Sequence, residues 1–484
     1  MRTFSYLLYA SLAVTLTCTG CKKWLDVQPE DQVSDDKLFE NADGFRNALN
    51  GVYQQISEPT LYGRQLTWGL VSALGQDYNV DRINSQDGDM AEFLYNSVSL
   101  QGDLSRLWAS AYTSIANCNK ILGEITSKDT MFFPLRSAEK NLIIGEAKAV
   151  RALLHFELVR LFAPAPINNR NGKAIPYQTQ YPARITPPST TAAVMDSIIR
   201  DLEEAQSLVA RNDTIVNRTV MSQKLQSLLS GGNTPNGGLF FNFRLHRLNY
   251  VAIQGMLARV YLYNGNRAKA FEKAEYLYKH FGPAGRLKWW AFTPSWYAEG
   301  ADKFHKLVDD VIFAGYDQLL IQKTLNYKAY YADFALSPET TTWFPDNRDY
   351  RKKAITANNI SEKWLENMST QQWRKEQNTI MPILRFSEIY YIYSECLFEK
   401  GEVTEALKVL NQIRQARGTT TTFSGTTPTD FYNELFDEYR REFIVEGQTV
   451  FNHKRINRPI MLGTRRIEMD DKFVVPIPEG ETNF

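Results

Sequence analysis

The sequence predicts an all-α fold, built from tetratricopeptide-like helix pairs that carry a large, irregular ligand-binding insertion. Two stretches, 387–418 and 249–280, share one spacing of small, apolar and glycine residues. Further apolar stripes at helical spacing lie upstream of both. Between them helical periodicity fades and aromatic residues accumulate.

In the first stretch Ile389, Ile392, Tyr393, Cys396 and Leu397 recur at helical spacing. Lys400-Gly401 breaks the run, and Val403, Ala406, Leu407, Leu410 and Ile413 resume it. The second matches position for position: Ala258, Tyr261, Gly265, Ala270, Ala274 and Leu277 stand where Ser394, Leu397, Gly401, Ala406, Leu410 and Ile413 stand. Small residues let two antiparallel helices approach closely, glycine makes the turn, and larger apolar residues seal the pair. One such hairpin cannot bury its own apolar face, so the repeat implies stacked neighbours, here four pairs. Two unrelated hairpins sharing common turn chemistry are the alternative. Gly265 and Gly401 are expected as left-handed helix stops, with Gly418 the more tolerant position.

The length of 484 residues corresponds to about three domains, or to one large core with long insertions. Lys and Arg number 55 against 54 Asp and Glu, so the overall positive field of a nucleic-acid binder is missing and nucleic acid is not an expected partner. Aromatic residues reach 13%, more than a helical scaffold needs for its core.

Along the chain, residues 1–20 read as a signal peptide: Arg2 gives the positive start, Leu7 to Thr17 the short apolar run, and Thr19-Gly20 the small residues before Cys21. The layout resembles a bacterial lipoprotein signal, in which that cysteine is acylated, with palmitate for example, and becomes the mature N-terminus. Cys118 and Cys396 each lie on an apolar stripe, where a buried thiol is expected and a disulfide is the alternative. Phe45, Ala48, Leu49, Val52 and Ile56 mark one helix, Leu104, Leu107, Trp108, Ala111, Ile115, Cys118 and Ile121 another. Thr190 caps a helix that carries Val194, Ile198, Leu202, Ala205 and Val209. Ser230 to Gly238 reads as a flexible loop, 282–379 as an insertion packed on the repeats, and Ile380 to Glu388 as the opening of the last repeat. The repeats thus occupy about 104–281 and 380–455 of a single unit, 21–484.

Catalytic signatures are missing from the sequence: no G-x-S-x-G elbow, no H-E-x-x-H zinc helix, no G-x-x-x-x-G-K-[ST] phosphate loop. The five histidines are scattered, without metal-ligand spacing, and His155 sits amid an apolar helix as a core histidine would. Asp77-x-Asn79-x-Asp81 begins like a calcium loop, but Arg82 replaces its turn glycine and Gly88 its bidentate glutamate. The aromatic surplus points to binding instead, because the slightly positive C–H face of a pyranose suits the electron-rich face of Trp or Tyr.

Several motifs together resemble the SusD/RagB family of outer-membrane nutrient-binding lipoproteins of the Bacteroidetes. They are Trp24-Leu25-Asp26-Val27-x-Pro29, Gly44-Phe45-x-x-Ala48-Leu49-x-Gly51-Val52-Tyr53, Leu61-Tyr62-Gly63-Arg64, the run Ala147 to Phe162, Arg440-Arg441-Glu442-Phe443-x-x-Glu446-Gly447-Gln448, and the closing Val474-Val475-Pro476-Ile477-Pro478. The resemblance implies a lipid-anchored protein facing the cell exterior. Such a protein captures a glycan or a peptide, without cofactor, metal or catalysis, for polysaccharide utilisation or other nutrient uptake. It implies a SusC-type TonB-dependent transporter as partner. It also places ligands against loops after the first helices and in the insertion, which points to Asp77, Tyr78 and Arg82 on one side and to Trp289, Trp290, Trp296, Tyr297 and Trp343 on the other. A glycan-cleaving enzyme and a scaffold that binds only proteins are the alternatives. If Cys21 carries the anchor, Cys21→Ala releases the protein from the membrane fraction of cells lacking the transporter, since acyl chains contribute about 0.8 kcal/mol per buried CH₂.

Overall fold

The computed structural model describes residues 35–223, 238–298, 303–370 and 375–481. The signal peptide, Cys21, most of the Ser230 to Gly238 loop and Trp373 lie outside these residues.

Helix α1, Ala42–Ile56, starts where the Asn41 side chain accepts from Gly44 N, and it buries Phe45, Leu49, Val52 and Ile56. Two long helices follow, α2 at Val98–Thr126 and α3 at Arg136–Phe162. From Leu142 onward α3 is buried on nearly every side, because α2 covers one flank and α4, Thr191–Arg211, the other. Thr190 caps α4 by accepting from Ala193 N at 3.2 Å. Next come the hairpin of α5, Tyr250–Tyr263, and α6, Arg267–His280, and then α7, Leu320–Tyr331. The second hairpin pairs α8, Phe386–Glu399, with α9, Val403–Ala416, and α10, Pro428–Glu442, and α11, Thr449–Arg455, complete the helical part. Each helix from α1 to α6 packs on the next; α6 packs on α8, and α8 on both α9 and α10. One apolar core runs through the whole stack, from Phe39 to Val475.

The small residues of the two hairpins, Ala258, Ala270, Ala274, Ser394 and Ala406, are all buried where the helices meet. Cys118 and Cys396 are buried free thiols. Burial pushes both up to about 12, so neither is a reactive thiolate.

The stretch Ile380 to Glu388 begins as a strand, β2, Ile380–Arg385, with every residue buried, and α8 starts at Phe386. Pro382 has no N–H to give to a helix, and β2 pairs antiparallel with β1, Val311–Tyr316, from Tyr316 opposite Ile380 to Val311 opposite Arg385. Gly418 is not the tolerant glycine. Its φ of +93° is left-handed, as are the +78° of Gly265 and +82° of Gly401. At Gly265 and Gly401 a Cβ would meet open space, but at Gly418 it would collide with the Arg348 carbonyl oxygen. Gly401→Val is therefore expected to lower stability by about 1–2 kcal/mol, from backbone strain alone. Gly418→Val lowers it by more, and the order of the two melting temperatures checks this.

Candidate ligand-binding cleft

The insertion is held on the helices by a group of buried ions. Arg385, the last residue of β2, takes both Glu446 oxygens at 2.7 and 2.6 Å and reaches Asp310 at 3.2 Å. Arg417, just beyond α9, bonds the other Asp310 oxygen at 2.7 Å and clasps Glu442 at the end of α10. From the insertion, Arg351 meets Asp349, Glu438 and Glu442, and Lys363 meets Glu446 at 2.7 Å. Burial alone would push the Glu438 carboxyl up, but the Arg351 and Arg441 guanidiniums outweigh it and hold the group down at about 2. The run Arg440 to Gln448 is thus a clamp. Arg440 lies 4.9 Å above the Trp343 ring, Gly447 at φ +70° lets the chain pass the Leu66 carbonyl, and Gln448 accepts from Arg160 at 3.0 Å.

On the outer side of this clamp the insertion forms a cleft of about 590 Å³. Its lining includes Lys303, Thr340, Asn347, Lys352, Lys353 and Asn359. The wall is preorganised by its own hydrogen bonds. Asn359, at φ +61°, donates to the Leu336 and Ser337 carbonyls at 2.9 and 3.0 Å, and the Thr340 hydroxyl donates to Ser337 O at 2.6 Å. Lys303 donates to Lys353 O at 2.9 Å, tying two sides together. No Asp or Glu is among the lining residues.

The sequence-predicted residues divide sharply in this structure. Asp77, Tyr78 and Arg82 do join the insertion: Ser337 N donates to Asp77 O, Tyr78 bridges Leu336, and Arg82 pairs with Asp333 on the segment that leads into the cleft wall. Only Arg82 of the three is open to solvent. Asp77 is buried and accepts from Val445 N, while the Tyr78 hydroxyl donates to Trp68 O. Trp289 and Trp290, 6% and 4% exposed, pack on Phe281 and Phe386, and Trp290 Nε1 donates to Val311 O at 3.0 Å. Trp343 is buried beneath Arg440. These three rings offer no face to a ligand. Trp296 does, at 68% exposed, with Tyr297 half-buried beside it. Their turn, Ser295–Ala298, packs against Tyr350–Ala354, and Phe304 N donates to Tyr297 O at 2.7 Å, one residue from Lys303. The turn that carries Trp296 therefore lies next to segments that line the cleft.

A larger opening of about 900 Å³ lies along α1, lined by Arg46, Asn50, Tyr53, Phe240 and Arg247 among others. Its guanidiniums are held in part by structure: Arg46 pairs with Glu139 at 2.6 Å, and Arg247 lies by the Tyr53 and Phe240 rings and bonds Asn50, while Arg46 Nη2 and Arg247 Nη1 have no hydrogen-bond partner among the described residues. His155 is a core histidine. Gln178 N donates to its Nε2 at 3.0 Å, so Nδ1 carries the proton and donates to Arg151 O at 2.8 Å. Burial lowers its pKa to about 3.

Residues 23–224 match a SusD-like family described as starch-binding and associating with the outer membrane, and residues 286–474 match the SusD family, SusD_RagB. The chain belongs to the SusD/RagB family. It is 22% identical to SusD-like protein P38 of Formosa agariphila, over 98% of this chain and 95% of that one. In three dimensions it is similar to a SusD superfamily protein from Bacteroides thetaiotaomicron, with a TM-score of 0.68, 22% identity, and 91% of this chain and 97% of that one covered. A SusD-like carbohydrate binding protein from Bacteroides vulgatus gives 0.66 and 19%, covering 91% and 96%. At these identities the structural likeness establishes the helical, tetratricopeptide-like SusD fold. Among the described residues, no helix of this SusD-family chain is long and apolar enough to cross a membrane.

Sequence reasoning missed Lys303, Thr340, Asn347, Lys352, Lys353 and Asn359. For Thr340, Asn347, Lys352 and Lys353 the signal was a largely polar stretch from Ser337 to Lys353 in a span without periodicity, and Lys303 and Asn359 lie outside it. Asp77 yields a pH test. Burial pushes its carboxyl up from 3.8 to about 6, against the lowering by Arg440. A raised carboxyl stabilises the fold fully below its unfolded value and loses that contribution, on the order of 2 kcal/mol, as pH rises through about 6. Asp77→Asn cannot ionise, so urea unfolding is expected to favour the variant over the parent by more at pH 8 than at pH 5.

Proposed function

We propose that this protein captures a glycan at the cell surface and delivers it to a SusC-type TonB-dependent transporter, anchored in the outer membrane through lipid on Cys21. The observation that carries the reading is Trp296, a large aromatic ring left 68% exposed on a turn next to segments that line a preorganised cleft of hydroxyl, amide and ammonium groups. Trp296 and Tyr297 form an aromatic pair there, with ring centroids 6.0 Å apart. A sugar needs both parts, an aromatic face for its C–H surface and convergent polar groups for its hydroxyls. Family membership supports the reading, as do the carbohydrate-binding name of the Bacteroides vulgatus neighbour and the starch-binding description of the family matched by residues 23–224. Binding is favoured over cleavage because glycoside hydrolysis uses two facing carboxyl groups, and the cleft is lined by none. Ligand contact is assigned to Trp296, Tyr297 and Arg82 with the cleft lining, while Asp77, Tyr78, Trp289, Trp290 and Trp343 support that surface from below.

Melting temperature and glycan affinity measured together test this. Trp296→Ala is expected to weaken binding by about tenfold or more with its melting temperature kept. Trp290→Ala lowers the melting temperature, since truncating a core Trp costs about 3–5 kcal/mol. Unchanged affinity in Trp296→Ala would remove this ring from the site.

A further inference from the structure

The charge of the cleft says more about its ligand. Three lysines line it, Lys303, Lys352 and Lys353, with no acidic side chain among the lining residues. Lys303 is neutralised by Glu362 at 3.1 Å, a carboxylate it shares with His305. Lys352 and Lys353 are exposed and, among the described residues, belong to no ion pair; Lys352 reaches the Asn347 amide oxygen at 3.4 Å. This is not a sample of a basic surface, because the chain as a whole carries a net charge of +1. Some exposed lysines elsewhere are paired locally, Lys269 with Glu272, Lys279 with Glu275 and Lys408 with Glu405, whereas Lys352 and Lys353 are neighbours that share one cleft. Adjacent ammonium groups facing one concavity repel each other, and low-dielectric walls focus their field into the opening. A neutral sugar leaves that repulsion in place, whereas an anion removes it.

Resting on the glycan reading above, we infer that the glycan held in this cleft is anionic, bearing carboxylate or sulfate groups that Lys352 and Lys353 meet. The Thr340 and Thr341 hydroxyls and the Asn347 and Asn359 amides then serve the neutral part of each sugar. The shared chemistry is a singly charged oxyanion on a sugar ring, which a flexible ammonium accepts in either form.

Native affinity electrophoresis of the full chain in gels containing dextran, dextran sulfate or polygalacturonate tests the inference. Retardation is expected with a charged polymer and not with dextran, and it weakens steeply as salt rises from about 0.05 M to about 0.5 M. Retardation by dextran sulfate alone assigns sulfate, by polygalacturonate alone carboxylate, and by both the shared oxyanion. K352Q/K353Q, at exposed positions that leave the fold intact, is expected to lose about tenfold in affinity for the charged polymer. K279Q/K408Q removes the same charge away from the cleft and is expected to bind like the parent. Equal losses in the two double variants would overturn the inference, reducing it to overall charge. Equal retardation by dextran would overturn it too while leaving glycan capture standing, and no retardation by any of the three polymers would overturn both.

Discussion

A charge taken out of water must find its opposite, and this molecule is arranged around one place where many do so at once. Asp310, Arg351, Arg385, Arg417, Glu442 and Glu446 are all buried and mutually paired. They come from the approach to β1, the insertion, the end of β2, the end of α9, the end of α10 and the segment after it. Removing one member of such a set leaves its partner desolvated, at a cost of about 3–5 kcal/mol, so no single element can shift without the others. Apolar packing would tolerate small sliding between the insertion and the helices. Bidentate ion pairs do not, because each fixes two distances and a plane. The helical stack thus supplies the bulk of the core, and the ionic cluster supplies the register in which the insertion sits on it.

This division explains which parts were legible in the sequence. The helix pairs were, since spacing such as Ala258 to Leu277 expresses local geometry that needs no distant partner. The motif from Arg440 to Gln448 was legible as a resemblance, but its physical meaning was not, because its carboxylates Glu442 and Glu446 answer to residues 25 to 91 positions away. Gly418 shows the same limit: its φ resembles that of Gly401, and only the distant Arg348 carbonyl makes it the stricter of the two. The tryptophans of the insertion could not be sorted by composition. Trp290 and Trp296 are close in sequence, yet one fills the core and the other faces solvent, because Phe386 and the Val311 carbonyl claim the first. The polar cleft lining escaped notice for a related reason. Threonine, asparagine and lysine in an aperiodic stretch look like any loop until the chain folds them around a common space.

The site combines a rigid support with small movable parts. Trp343, next in sequence to the lining residue Phe344, and Tyr350, two positions from Lys352, have buried rings, and Tyr350 donates to Thr293 O at 2.6 Å. The groups turned to solvent are side chains with freedom left in them, such as Lys352, Lys353 and Trp296. Ordering a few side chains on a fixed backbone sacrifices far less entropy than ordering a loop, so even weakly adhering cargo can be retained.

The strands β1 and β2 bring the two ends of most of the insertion side by side, with Tyr316 opposite Ile380. The segment between them leaves and re-enters through one narrow neck, and Arg351 and Lys363 tie its base to the helices. Doubling its length adds only about 0.6 kcal/mol of closure entropy. Between Tyr316 and Ile380, evolution is therefore free to lengthen, shorten or replace what lies on the outside, provided that Arg351 and Lys363 still reach the ions at the base. A lineage can retarget such a protein to a new nutrient by rewriting one contiguous piece of gene, while the helices that carry it stay as they are.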